Sequence, residues 1–128
     1  MLSTHDLAGT YVNRGILYLS RSSFRDARKD FDTALALAPT VGEAYVNRGA
    51  ALIGERRFAD GLTDIDRGLA LGPEQPEKAY FNRGLAHEYL DDLKNAYLDY
   101  MKAAELKPDW AEPKRQLERF VVSRRPKT

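Results

Sequence analysis

Apolar and small residues recur along this chain with the spacing of amphipathic α-helices arranged in pairs. In the first pair, Tyr11, Gly15 and Tyr18 lie on one stripe with helical i, i+3/i+4, i+7 spacing. A second stripe with the same spacing follows after a short polar segment, at Ala27, Phe31 and Ala34. Because proline cannot continue an α-helix, a proline near the end of each pair indicates where its second helix stops, at Pro39, Pro73 and Pro108.

The pattern therefore predicts an all-α chain of about seven helices. Their expected positions are near residues 6–20, 24–37, 42–54, 58–71, 77–90, 93–106 and 110–123. The last helix carries Trp110, Leu117, Phe120 and Val121 on one side, with Lys114, Arg115 and Arg119 elsewhere around it. We interpret it as a capping helix that covers the preceding pair and presents a polar face to water.

A six-residue phrase recurs three times and defines the repeat. It occupies residues 10–15, 44–49 and 79–84, and each copy ends in Asn-Arg-Gly. The spacing predicts a single domain over 1–128, made of repeats at about 8–41, 42–76 and 77–109, then the capping helix 110–123 and a basic tail 124–128. Glycine is costly inside a helix, so Gly15, Gly49 and Gly84 indicate close approach of paired helices. Gly61 and Gly68 replace alanine in the middle repeat, which we therefore expect to be weaker than its neighbours and the most flexible unit.

These positions resemble the tetratricopeptide repeat family over most of the chain. The recurring glycine, the alanine, aromatic and alanine of the second helix, and the terminal proline stand where that family places them. The resemblance implies a right-handed superhelix of antiparallel helix pairs. It also implies that the first helix of each pair lines a concave groove, which holds a peptide or a helix of a partner protein.

Each first helix has more apolar surface than one packing face requires. With an asparagine in each copy, this second stripe predicts a peptide-binding groove at Val12, Asn13, Ile16, Val46, Asn47, Ala50, Lys78, Phe81, Asn82, Leu85 and Tyr89. An asparagine amide can hold a peptide group of a ligand through both donors and an acceptor. Two alternatives stay open: the apolar residues pack against adjacent repeats, and the asparagines bond within the chain itself.

One subfamily of these repeats grips the terminal carboxylate of a chaperone tail with lysines, asparagines and an arginine. Asn47 and Lys78 match that pattern, whereas Val12, Ile16 and Asn82 replace its other three residues. We therefore predict that the groove does not bind chaperone tails and takes an apolar, internally positioned peptide segment.

Charged residues also recur in register with the repeat. An aspartate follows each recurring arginine by sixteen residues, in the pairs Arg14 with Asp30, Arg48 with Asp64, and Arg83 with Asp99. This predicts ion pairs that join the two helices of a repeat, or one repeat to its neighbour. Neighbouring acids such as Asp66 are interpreted as surface charge.

Composition narrows the function class. No nucleophile and base, phosphate-binding loop or metal motif accompanies His5 or His87, so we expect no enzyme, cofactor or metal site, and we interpret His87 as a packing residue. A net charge of +1 disfavours nucleic acid, and the basic C-terminal end is interpreted as a solvated tail; contact with nucleic acid or lipid through this end is the less favoured alternative.

Localisation and partner stay open. The sequence has no apolar run long enough to span a bilayer and no signal-peptide pattern over residues 1–6, so we expect a soluble protein of the cytoplasm or, if a signal was removed, the periplasm. The expected partner is another protein. The alternative is a fragment of a longer solenoid that acts as a self-assembly or oligomerisation module, in which the outer face of the first repeat meets further sequence of the same protein or a second copy in a homo-oligomer.

Overall fold

The structure is a computed structural model and describes residues 2–123, with side chains as far as Phe120. In this part the chain forms seven α-helices: α1 (Thr4–Ser20), α2 (Phe24–Leu37), α3 (Gly42–Gly54), α4 (Phe58–Ala70), α5 (Pro76–Tyr89), α6 (Leu93–Leu106) and α7 (Ala111–Ser123). The all-α class and each predicted helix are confirmed, with ends that differ by no more than two residues. The predicted tail 124–128 and the side chain of Val121 lie outside the described residues.

Local sequence explains where the helices begin and turn. At the start of α1, the hydroxyl of Ser3 accepts a hydrogen bond from the backbone N–H of Asp6 at 3.1 Å, and the Asp6 carboxylate accepts from Ser3 in return. Each turn from a first helix to its second has one residue in the left-handed region, at Ser22, Arg56 and Asp91, with φ of 57°, 64° and 62°. This conformation ends the first helix and reverses the chain, so that the second helix runs back along it.

The recurring glycines lie where a large buried side chain of the second helix approaches the first. A Cβ atom built on Gly15 would lie 2.5 Å from Cε1 of Phe31. The equivalent nearest distances are 2.6 and 2.7 Å in the pairs Gly49 with Ile65 and Gly84 with Tyr100. The predicted close approach of paired helices is therefore confirmed.

In the middle repeat the backbones of α3 and α4 approach each other even more closely. A Cβ on Gly61 would meet the carbonyl oxygen of Gly49 at 3.0 Å, and a Cβ on Gly68 would meet that of Gly42 at 2.8 Å. Gly61 and Gly68 therefore have a packing role of their own, which the expectation of a weak middle repeat did not include.

The last helix, α7, packs on the third repeat through aromatic contacts. Phe120 is buried, and its ring centroid lies 5.9 Å from that of Tyr100 and 5.7 Å from that of Tyr97. Just before α7, Trp110 lies 5.0 Å from the ring of Phe81. Among residues 2–123, no helix combines the length and the apolar character that a membrane-spanning segment needs.

Candidate functional site

The recurring arginines and aspartates form a ladder of ion pairs along the repeats. Nε of Arg14 donates to Oδ2 of Asp30 at 2.8 Å, and its Nη2 donates to Oδ1 at 2.8 Å. The same two-bond geometry joins Arg48 to Asp64 and Arg83 to Asp99. The three aspartates are buried, with exposed fractions of 5%, 8% and 5%, so each carboxylate depends on its arginine for compensation. The predicted pairing within each repeat is confirmed.

Two of these arginines also reach back to the preceding repeat. Nη1 of Arg48 donates to Asp32 at 3.1 Å, and Nη1 of Arg83 donates to Asp66 at 3.0 Å. Asp66 lies at the surface, as interpreted from the sequence, with 62% of its side chain exposed, and it also pairs with the next repeat. The hydrogen bonds that Arg48 donates to Asp64 are the main cause of its raised pKa, and those that Arg83 donates to Asp99 raise the pKa of Arg83 in the same way.

A further ion pair between repeats allows a prediction about pH. Arg28 of α2 donates to both oxygens of Glu55, at 2.7 and 3.1 Å, and these bonds hold the pKa of Glu55 below its usual value. A lowered folded-state pKa stabilises the fold above the unfolded-state value of about 4.3, and this contribution is lost as the pH falls through the folded-state pKa. We expect Glu55→Gln to lower the free energy of unfolding by about 0.3–1 kcal/mol at pH 7 and to have no effect in acid.

Urea unfolding of wild type and Glu55→Gln across pH 2–7 measures this difference. The matched control is Glu118→Gln, at an exposed residue of α7 for which the described part of the chain shows no ion pair. A deficit of Glu55→Gln that stays constant down to the lowest pH would contradict the charge-based explanation.

The first helices α1, α3 and α5 lie side by side, since α3 contacts both of the others. On their shared face, Ile16, Ala50 and Leu85 occupy equivalent positions, each one residue after a recurring glycine. Ile16 is 42% exposed, Ala50 and Leu85 are half-buried, and Tyr89 on the next turn of α5 is 58% exposed. We call these four residues the groove face. Each of the three repeats thus contributes partly accessible apolar side chains, although Leu85 also packs against the core cluster of α6 and α7 and Tyr89 stacks on Phe58, with ring centroids 4.5 Å apart.

Not all of the predicted groove residues offer surface to a ligand. Val12 and Val46 are buried, with exposed fractions of 8% and 5%, because their side chains turn toward the core. Val46, for example, packs so closely on α4 that its Cγ2 would lie 2.5 Å from a Cβ built on Gly68. Phe81 is half-buried and packs against Tyr100, with ring centroids 5.6 Å apart. For these residues the alternative of packing within the chain describes the structure.

The asparagines differ in their surroundings. Nδ2 of Asn47 donates to the backbone carbonyl of Glu43 at 2.9 Å, so one side of its amide is engaged within its own helix. Asn13 is exposed and Asn82 is half-buried. Lys78 is exposed at the start of α5, one turn before Asn82.

A polar cluster that the sequence analysis missed closes the far end of this face. Glu88 accepts a hydrogen bond from the hydroxyl of Tyr100 at 2.8 Å and pairs with Arg119 of α7. Burial raises the pKa of Tyr100, so its hydroxyl stays protonated and donates. Together with Leu85, Tyr89 and Gln116, Glu88 and Arg119 line a cavity of about 390 Å³. The sequence signal for this cluster was Glu88, because the other first helices carry Leu19 and Ile53 at the equivalent position.

His87 lies within the ion-pair ladder and away from the groove face. Its Nε2 is 3.7 Å from Oδ2 of Asp99, its Nδ1 is 3.6 Å from Oδ2 of Asp92, and 19% of its side chain is exposed. Within the described residues, no group of three or more histidine, aspartate and glutamate side chains could hold a metal ion.

Comparison with known proteins identifies the repeat. Residues 77–109 match the family model of the tetratricopeptide repeat. The comparison with curated protein sequences gives no match. Residues 77–109 are thus a tetratricopeptide repeat, and the resemblance stated from the sequence is confirmed.

Solved structures establish the fold of the whole described chain. The first tetratricopeptide repeat domain of human RPAP3 is 25% identical, with a TM-score of 0.84 and coverage of 94% of each chain. The corresponding domain of Spaghetti (RPAP3), bound to the HSP90 peptide SRMEEVD, is 24% identical with a TM-score of 0.83, over 93% of this chain and 94% of that one. The Arabidopsis OM64 domain is 23% identical with a TM-score of 0.84, over 91% and 96%. The fold is a tetratricopeptide repeat solenoid.

Proposed function

We propose that this chain binds an apolar peptide segment or helix of a partner protein along the groove face. The observation that supports this proposal is that Ile16, Ala50 and Leu85 repeat at one position of three adjacent helices and stay accessible to solvent. An accessible apolar surface that continues across several elements is typical of a binding site, whereas single exposed apolar residues are common on any protein surface. A partner helix or extended segment with apolar side chains at regular intervals fits such a surface.

The polar groups beside the groove face give the ligand its orientation. Asn13 and Asn82 are available on either side of Asn47, and Lys78 adds a cation near the start of α5. A ligand that buries its apolar side chains on Ile16, Leu85 and Tyr89 can direct its backbone amides toward the asparagines.

The kind of peptide is the second part of the proposal. Two solved tetratricopeptide repeat domains hold acidic chaperone tails: the first domain of Spaghetti with SRMEEVD, and the second domain of human RPAP3 with SGPTIEEVD. In this chain only Asn47 and Lys78 match the residues of a terminal-carboxylate clamp. Val12 turns its short apolar side chain into the core, and Ile16 adds apolar surface, so neither supplies a charge for a carboxylate. We propose that the groove takes internal segments and not free C-termini.

We expect Ala50→Arg to weaken peptide binding strongly, because a long charged side chain at the centre of the groove face occupies the ligand's place. Ligands are first selected from a library of peptides displayed without free C-termini, and selected peptides are then titrated by calorimetry. Binding to wild type is expected to be micromolar, and Ala50→Arg is expected to weaken it by at least about tenfold. The matched control is Ala36→Arg, the same substitution at an exposed position of α2.

The peptide SRMEEVD, with a free and with an amidated C-terminus, tests the clamp. We expect no gain from the free carboxylate. Binding that requires it would refute the internal-segment proposal, and equal loss of the selected peptides in Ala50→Arg and Ala36→Arg would refute the groove face as the site.

A further inference from the structure

In α3 and α5, residues at two positions of the repeat are buried where the helix joins the preceding repeat. The residues at the same positions of α1 lie on its outer face and are exposed. Ala44 and Ala51 of α3 are completely buried and belong to the core cluster of the first repeat, and Ala79 and Ala86 of α5 are also completely buried. The equivalent residues of α1 are Thr10, which is exposed, and Leu17, which is 56% exposed.

Arg14 shows the same difference in its ion pairs. Arg48 and Arg83 each bond to an aspartate of the preceding repeat, and their side chains are 26% and 25% exposed. Within residues 2–123, the side chain of Arg14 hydrogen-bonds only to its own Asp30, and it is 58% exposed. Its Nη1 points to no second carboxylate within the described residues, although this atom makes the inter-repeat bond in the other two repeats.

The packing of α2 against α3 shows how a helix covers this kind of face. α2 pairs with α3 at two points: Arg28 with Glu55, and Asp32, four residues later, with Arg48. The two helices run antiparallel, since Arg28 precedes Asp32 in α2 whereas its partner Glu55 follows Arg48, the partner of Asp32. At α1 the position of Glu55 is taken by Arg21, an exposed residue that lies 34 positions before it.

The outer face of α1, defined by Thr10, Arg14, Leu17 and Arg21, therefore combines apolar surface with two arginines. A helix that packs on it in the geometry of α2 on α3 brings one residue to Arg21 and the residue four positions later to Arg14. Carboxylates at both positions match the two guanidinium groups.

The second helices of this chain do not have that pair of carboxylates. At the two positions α2 has Arg28 and Asp32, α4 has Leu62 and Asp66, and α6 has Tyr97 and Met101. A second copy of this chain, offered through any of these helices, leaves at least one arginine of the α1 face unmatched. Charge complementarity thus favours a helix of a different protein.

We propose that the outer face of α1 is a second docking surface, which binds an amphipathic acidic helix of a partner protein antiparallel to α1, with carboxylates at positions i and i+4. The surface is separate from the groove face, because Leu17 follows Ile16 by one residue and projects about 100° farther around the helix. A partner can therefore occupy it without contacting Ala50 or Leu85.

The test uses helical peptides derived from α2, which provide the packing geometry. One peptide has the sequence of residues 23–39, held helical by a hydrocarbon bridge between positions 25 and 29, which are exposed in α2. The other is identical except for Arg28→Glu, so that it presents two carboxylates four residues apart. Fluorescence anisotropy measures both peptides against the whole chain as wild type, Arg21→Glu, Leu17→Gln and Lys114→Glu.

We expect the two-carboxylate peptide to bind wild type about three- to thirtyfold more tightly than the unsubstituted peptide. Arg21→Glu is expected to reverse this preference, because Arg28 of the unsubstituted peptide then meets a glutamate, as it does in the pair with Glu55. Leu17→Gln should weaken both peptides, and Lys114→Glu, which makes the same change of net charge on α7, should leave the preference unchanged.

The proposal is overturned if neither peptide binds at about 1 mM, if Arg21→Glu leaves the preference unchanged, or if Lys114→Glu reverses it equally well. Sedimentation of the chain alone tests the other occupant. A dimer that Leu17→Gln dissociates would assign the face to a second copy and would also overturn the proposal.

Discussion

Gly68→Ala is expected to lower the free energy of unfolding by about 1–3 kcal/mol. An added methyl group would lie 2.5 Å from Cγ2 of Val46 and 2.8 Å from the carbonyl oxygen of Gly42. A side chain can rotate away from such a contact, but the carbonyl belongs to the backbone of α3, so the two helices must separate. The loss of packing outweighs the gain that alanine normally brings to a helix.

Gly9→Ala provides the matched control with the opposite sign. Gly9 lies within α1, is exposed, and has no atom within 4 Å of a Cβ built on it. Alanine there should raise the free energy of unfolding by about 0.5–1 kcal/mol, since it lowers the conformational entropy of the unfolded chain. Urea unfolding followed by circular dichroism measures both variants. A stabilised Gly68→Ala variant would show that α3 and α4 are farther apart than described.

Asp99→Ala is expected to lower the free energy of unfolding by about 2–4 kcal/mol, because it leaves Arg83 without its buried partner. The residue is 5% exposed and accepts from Nε and Nη2 of Arg83 at 2.8 and 2.9 Å. The side chain of Arg83 is 25% exposed, so water compensates part of the loss and we expect a smaller effect than for a fully buried pair.

Asp66→Ala is the natural comparison, since it removes the other carboxylate from the same arginine. The Asp66 side chain is 62% exposed, and its loss should cost only about 0–1 kcal/mol. If the two variants lose equal stability, burial is not what determines the strength of these pairs. The background Arg83→Met should reduce the effect of Asp99→Ala, because no unpaired guanidinium group is then left behind.

Local sequence predicted most of the fold. The apolar residues of each helix recur with a period of about 3.6, and polar turns and prolines mark where the helix stops. The helix ends were therefore predicted to within two residues. The pairs of Arg14, Arg48 and Arg83 with their aspartates were predictable because both charges recur at one spacing. The repeated Asp-x-Asp of residues 30–32 and 64–66 contained the signal for the bonds between repeats, but it was interpreted as surface charge.

The groove was harder to predict because periodicity assigns a residue to a face without saying what covers that face. Val12 and Ile16 are four residues apart and look alike in a pattern, yet the first is buried in the core cluster of the first repeat and the second is exposed. The close contacts of Gly61 and Gly68 were not predicted either, because the sequence presented these residues as missing alanines. The bond of Asn47 to Glu43 was likewise one of two open alternatives.

The shared arginines also link the folding of one repeat to that of the next. When the first repeat unfolds, Arg48 loses Asp32 and keeps only Asp64; when the second unfolds, Arg83 loses Asp66 in the same way. In a linear array whose repeats contact only their neighbours, such inter-repeat bonds favour simultaneous unfolding of adjacent repeats over stepwise unfolding from one end. The inter-repeat bonds of the arginine ladder thus contribute to cooperativity, and because each bond is lost when either repeat unfolds, neighbouring repeats stabilise each other equally.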